Sequence, residues 1–184
     1  MNSWWFALEK EISTDICDQI KQFYLDDKSQ TGQHGDGQSN KDLRDSKVVG
    51  FPYGTEQNKF LHSLIHKYIV MANAECFGFD LNGLCEFQIA EYGSGGHYDN
   101  HFDMRLENRS SVRKLGITVQ LSEAREYAGG DFVFSDDIGT PSQDIIKQKG
   151  TVIVFPSFIY HKVKPVTQGK RYSLVGWYEG NYWR

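Results

Sequence analysis

The sequence predicts an α+β protein in which helices come first and a mainly antiparallel sheet follows. Three observations carry this. Apolar residues recur at helical spacing only within about the first 80 residues; from Leu84 onward the apolar runs become short, β-rich segments; and no strand–helix–strand alternation links the two parts. Helices followed by strands argue for helices packed on one face of an antiparallel sheet, not for βαβ units.

Each element has a local reason. Ser13 or Thr14 is placed to cap a first helix, and Ile16, Ile20, Phe23 and Tyr24 recur behind it to about Leu25. Asp26 to Asn40 reads DDKSQTGQHGDGQSN, with three glycines and no apolar residue, and has the composition of a loop that orders over substrate as a lid. A second, longer helix is expected from near Thr55, with Phe60, Leu64 and Tyr68 on one stripe, Leu61, Ile65, Ile69 and Ala72 beside it, and Gly78 past its end. Strands follow at Leu84 to Tyr92, Lys114 to Leu121, Asp131 to Phe134, Thr151 to Phe155 and Arg171 to Tyr178. With no repeat or linker in view, the expectation is a single domain over 1–184, a helical support over about 1–80 and a β core over about 84–184.

Composition narrows the class. Of the residues, 39% are hydrophobic, with 4 Trp, 10 Tyr and 12 Phe, too many core formers for a disordered chain. The net charge is −4 and no basic run appears, so long-range attraction to a nucleic-acid backbone is not a driving force. Cys17, Cys76 and Cys85 form no CxxC pair, which argues against a disulfide framework or zinc knuckle and for a reducing compartment. No stretch approaches the roughly 20 apolar residues that cross a bilayer, and the first residues carry no signal-like apolar run. A soluble cytoplasmic protein, with neither nucleic acid nor membrane as partner, is expected.

The densest chemical signal is YGSGGHYDNHFDM, Tyr92 to Met104. His101 and Asp103 stand two apart, which in extended backbone puts both on one face. An imidazole and a carboxylate so placed fill two adjacent positions around a metal, and His161, just beyond the apolar run TVIVF and Pro156, is the candidate third ligand. Two histidines and one carboxylate with open positions are the arrangement of non-haem Fe(II) oxygenases. Ten residues on, Arg171 opens RYSLVGWY, where Arg171, Ser173, Val175 and Trp177 share a face. A guanidinium fork with a hydroxyl beside it makes a clamp for the far carboxylate of a dicarboxylic acid.

This ordered set resembles the Fe(II)- and 2-oxoglutarate-dependent dioxygenases, specifically their prolyl 4-hydroxylase-like branch. The resemblance covers about 84–183 and rests on Tyr92 with GSGG, His101-x-Asp103, Gly129-Gly130 before DFVF, Pro156 ahead of His161, and Pro165-Val166, Gly169 and Arg171. It implies a double-stranded β-helix (jelly-roll) core, Fe(II) held by His101, Asp103 and His161, and 2-oxoglutarate reaching Arg171, with Tyr92, Ser173, Thr118 and Gln120 lining the cosubstrate pocket. Some relatives carry Tyr or Thr where Gln120 or Thr118 stands. It also implies O2 as co-reactant, succinate and CO2 as products, and ascorbate as a sustaining reductant. The substrate expected is a peptidyl residue, proline first, facing Arg44, Tyr98 and Trp177. The alternatives are a free amino acid or small metabolite and, from another class, a non-catalytic jelly-roll module that binds a metal or ligand.

Other conspicuous residues have plainer readings. His62 and His66, four apart, read as a solvated helix face, and His34 as a solvated loop residue. His97 has no acid two residues on and reads as a shaper of the loop or substrate entrance. The cysteines read as small buried apolar residues.

Overall fold

The computed structural model describes residues 3–26, 41–83, 85–105, 111–135 and 137–182. The expected lid therefore lies outside the described residues, apart from Asp26. In chain order the elements are β1 (Phe6–Leu8), α1 (Thr14–Asp26), β2 (Arg44–Asp45), β3 (Lys47–Phe51), α2 (Glu56–Ala72), β4 (Cys85–Tyr92), β5 (His97–His101), β6 (Val112–Gln120), β7 (Tyr127–Gly129), β8 (Phe132–Phe134), α3 (Gln143–Ile146), β9 (Val152–Pro156), β10 (His161–Val163), β11 (Val166–Gly169) and β12 (Arg171–Gly180).

Both long helices begin where their caps predict. The Ser13 carbonyl accepts the first bond of α1, from the Cys17 amide, and the helix buries Cys17, Ile20 and Tyr24. Thr55 caps α2, its hydroxyl accepting from the Asn58 amide at 3.2 Å. Of the two stripes on α2 the second is the buried one: Leu61, Ile65, Ile69 and Ala72 are covered together with Tyr68, while Phe60 and Leu64 pack at its margin. Gly78 does end the helical path, but only after a wider turn over Asn73–Phe77, where its φ of 68° lets its amide close back on the Asn73 carbonyl.

A six-stranded sheet, ordered β1-β9-β6-β12-β4-β3, faces a four-stranded sheet, β2-β5-β10-β8, and β7 pairs with β11. All described pairings are antiparallel. One apolar cluster lies between the large sheet and the helices, joining Ile20, Leu61, Ile65 and Ile69 to Phe87, Ile89, Ile117, Val119, Val154 and Leu174. A second fills the jelly roll, with Tyr92, Phe132, Phe134, Ile153, Phe155 and Val163. The sequence pattern missed β1 and β3, which come from the segment expected to be helical: β1 edges the large sheet beside β9 and β3 beside β4. Three to five residues are too few for alternation to show.

His62 and His66 are half-buried, not on a solvated face. Their rings stack at 4.8 Å and both lie against Tyr178. Cys17 and Cys85 are buried as expected, Cys76 partly so, and all three are free thiols.

Candidate metal and cosubstrate site

The cavity of the jelly roll follows from strand alternation. On β12, Tyr172, Leu174 and Tyr178 turn into the helix-facing cluster, so Arg171, Ser173, Val175 and Trp177 line the cavity. On β4 and β6 the same alternation brings Gln88, Tyr92 and Thr118 to it.

At one end β5 and β10 pair with His101 directly opposite His161. The chain beyond β5 is tied by the Asp103 and Met104 amides, both donating to the Ser157 carbonyl at 2.8 and 2.9 Å. The Asp103 carboxylate thereby meets both rings, 3.8 Å from His101 Nε2 and 3.5 Å from His161 Nε2. Each imidazole is fixed by its other nitrogen: His101 Nδ1 lies 2.7 Å from the Asp99 carbonyl and His161 Nδ1 2.9 Å from that of Ile159. With Nδ1–H donating to a carbonyl, the Nε2 lone pair is left facing the cluster, the arrangement of a metal-ligating histidine. Asp103 is 7% exposed and its Oδ2 is a buried acceptor with no hydrogen-bond partner, which a cation would satisfy. Burial, then the neighbouring His161 ring, lowers the His101 pKa to about 4 from 6.5, against the pull of Asp103 and the Asp99 carbonyl, so the ring is neutral and able to ligate at neutral pH. Among the described residues this is the one group of three or more His, Cys, Asp or Glu able to hold a metal ion.

At the other end Arg171, 2% exposed, donates to Ser173 Oγ at 3.4 Å and sits 5.5 Å from the Tyr92 ring centroid. Among the described residues no carboxylate pairs with it. A buried guanidinium without a counter-charge is costly, and an incoming carboxylate offsets that cost. Gly130 makes room for it: with φ at 62°, an added Cβ would sit 3.2 Å from Arg171 Cδ and 2.9 Å from Val166 Cγ2.

Residues 87–179, half of the chain, match the profile of the 2OG-Fe(II) oxygenase superfamily. The chain belongs to that family. The chain is 34% identical over 90 residues to a PKHD-type hydroxylase of Idiomarina loihiensis and 37% over 91 residues to one of Shewanella frigidimarina, in segments covering 48% and 47% of it. Those segments span 39% of the length of either relative. In fold it is similar to the crystal structure of a Pseudomonas putida prolyl-4-hydroxylase, at TM-score 0.75 and 18% identity over 98% of this chain and 94% of that one. It is also similar to a Trichoplax adhaerens prolyl hydroxylase solved with a hypoxia inducible factor oxygen degradation domain peptide fragment, at TM-score 0.72 and 19% identity over 96% and 83% of the two chains. Iron(II) and 2-oxoglutarate are the groups this family takes. The donor set fits the first, and the unpaired Arg171 fits the far carboxylate of the second.

Of the residues expected at the site, ten line this cavity: His101, Asp103, His161, Arg171, Ser173, Tyr92, Thr118, Arg44, Tyr98 and Trp177. Gln120 does not. Its Nε2 donates to the Ser122 carbonyl and the Tyr127 hydroxyl, at 3.1 and 3.0 Å, because β6 ends there and the chain turns toward β7. Arg44 lies across the Tyr98 ring at 4.5 Å, and Tyr98 stacks on His101 at 3.5 Å, so a layered wall of side chains leads to the His–Asp–His cluster. Arg44 Nη2 and Trp177 Nε1 are buried donors without hydrogen-bond partners.

Sequence reasoning missed Arg113, which is 6% exposed and covers Trp177 at 4.0 Å while bonded to Glu86. Strict alternation along β6 puts Arg113 with Leu115 and Ile117, on the helix-facing side. An irregularity in the pairing, where Tyr178 faces Leu115 but Glu179 faces Arg113, breaks that alternation. No residue pattern in β6 announces it.

No described helix is long and apolar enough to cross a membrane.

Proposed function

We propose that the chain hydroxylates a peptidyl residue, proline first, as an Fe(II)- and 2-oxoglutarate-dependent dioxygenase, with His101, Asp103 and His161 holding iron and Arg171 holding the distal carboxylate of the cosubstrate. The observation that carries this reading is one cavity with a cation-seeking His–Asp–His cluster at one end and a buried, unpaired guanidinium at the other. When bound, iron and 2-oxoglutarate activate O2, one oxygen atom leaving in succinate as CO2 is lost and the other entering a C–H bond of the substrate.

The chain's own part is positioning. The Asp99 and Ile159 carbonyls hold the two imidazoles in the tautomer that ligates, and the Ser157 carbonyl fixes the backbone that carries Asp103. Arg171 and Ser173 anchor the cosubstrate at its far end, with the Tyr92 ring beside it. Tyr98 and Phe155 flank the imidazoles and keep water from them. Arg44 and Trp177 offer unmatched donors at the cavity wall, and the carbonyls of an extended peptide are the acceptors they suit. The peptide fragment bound by the Trichoplax protein and the prolyl hydroxylase names of the similar folds support the same substrate class. Three free thiols suit a reducing cytoplasm, and ascorbate is the reductant expected to sustain turnover.

The test is succinate release from 2-oxoglutarate with Fe(II), ascorbate and O2, run with proline-containing peptides and, separately, with free amino acids. Peptide-dependent release with one oxygen added to proline, abolished in His101→Ala, is the expected result. Release that only a free amino acid stimulates moves the substrate to a metabolite, and no release with either, without iron uptake, overturns the proposal.

A further inference from the structure

His97 stands four residues before His101 and takes no part in the metal cluster, yet both of its ring nitrogens are engaged. Nδ1 lies 3.0 Å from the Gly95 carbonyl and Nε2 3.2 Å from the Asp42 carbonyl. A neutral imidazole has one N–H and would turn a lone pair on one of these oxygens; only the imidazolium donates to both. The Gly95 contact lies within the turn that leads into β5, and that turn is itself tied down, the Gly95 amide donating to the Val166 carbonyl and the Gly96 amide to that of Gly93, each at 2.8 Å. The Asp42 contact crosses to the segment that enters β2. That strand has only two residues, Arg44 opposite Tyr98 and Asp45 opposite His97, backed by the Asp99 amide donating to the Leu43 carbonyl at 2.7 Å. So short a ladder holds weakly by itself, and the His97 bond to Asp42 adds to it just before Arg44.

We infer that His97 is a positioning residue that works as an imidazolium, fastening the segment that carries Arg44 to the strand that carries His101. This rests on the reading of Arg44 as substrate-facing. Among the described residues, the charged groups acting on the ring are Asp45 from the facing strand and Asp99 from its own, and both favour the cation. Arg44, next to Asp45 on that strand, packs on the Tyr98 ring and donates to the Ser46 hydroxyl. The bonds to the Gly95 and Asp42 carbonyls raise the pKa above the ordinary 6.5, with partial burial opposing. A raised value means that the fastening is complete below 6.5 and is lost as pH rises through the folded-state pKa.

The experiment has two arms. In the first, the His97 ring is titrated by NMR in the full chain, assigned by its absence from His97→Phe, while exchange protection of the Asp99 amide is followed. The expected result is a pKa above 6.5 and Asp99 protection that falls as His97 deprotonates. A pKa at or below that value, or protection that ignores the titration, overturns the inference. In the second, KM for a prolyl peptide should rise roughly three- to tenfold across the His97 titration with kcat little changed, the scale of one lost hydrogen bond to a charged group in a partly exposed place. His97→Phe should show the higher KM at every pH, and His97→Arg, which keeps a permanent charge and two donors, the lower one. A KM profile of His97→Phe that still follows pH as wild type does also overturns it. If no peptide is turned over, the substrate reading fails while the first arm still decides the role of His97.

Discussion

Arg171 and His101 show how burial sets chemistry at the scale of one side chain. Arg171 is held almost free of solvent and donates to Ser173 Oγ, so under the proposed function its charge is there for the cosubstrate. Replacing it with Gln should weaken 2-oxoglutarate binding about a hundredfold, the effect of removing one partner of a desolvated charge pair. Calorimetric titration of 2-oxoglutarate into Mn(II)-loaded protein measures this, and Arg171→Lys should recover part of the loss, since it restores charge without the fork. His101 carries a pH consequence. Its pKa of about 4 lies below the 6.5 of a free ring, so between these values the unfolded chain binds more protons than the folded one. Stability of the chelator-treated protein then rises with pH across that window and is lost as pH falls through it. His101→Gln should flatten that part of the dependence of Tm on pH.

At the scale of elements, the strands place the site and single glycines keep it open. Gly130 follows β7 at φ 62°, against Val166 of β11 and the Arg171 side chain of β12. Gly130→Ala should cost about 1–3 kcal/mol, from backbone strain alone, seen as a lower urea midpoint, and should weaken 2-oxoglutarate binding because the new methyl displaces Arg171. The cap of α2 makes a control remote from the cavity: Thr55→Ala should lower stability by about 1 kcal/mol and leave 2-oxoglutarate affinity alone. Legibility differed by element. The face shared by Arg171, Ser173, Val175 and Trp177 could be read from β12 because a period of two survives wherever pairing is regular. Arg113 could not, because the irregular pairing that moves it is set by contact with β12 and not by any residue type in β6. Gln120 stands opposite Ser173, but as the last residue of its strand it spends its amide on the Ser122 carbonyl and the Tyr127 hydroxyl, which no local pattern foretells.

At the scale of the whole molecule, the His–Asp–His cluster joins strands of the smaller sheet. His101 ends β5, His161 begins β10, and Asp103 is tied to the turn before β10 through Ser157. A divalent ion bound there should brace these strands against one another. Mn(II) at about a hundred times its Kd should raise Tm by roughly 5–10 °C in scanning calorimetry, and Asp103→Ala should remove the shift.

The class of fold, the ordered His–Asp–His set and the Arg proposed to meet a carboxylate could all be read along the chain. Each depends on residue type and local spacing: helical or two-fold periodicity, a His and an acid two apart, an Arg at the head of a strand. Tertiary structure alone decided that His161 lies opposite His101, that Asp103 Oδ2 is left without a partner, and that the His97 ring reaches the Asp42 carbonyl. Those outcomes need segments up to 60 residues apart to be brought together by antiparallel pairing between neighbouring strands. Pairing register is a property of two chains of atoms in contact, and no single stretch of sequence contains it.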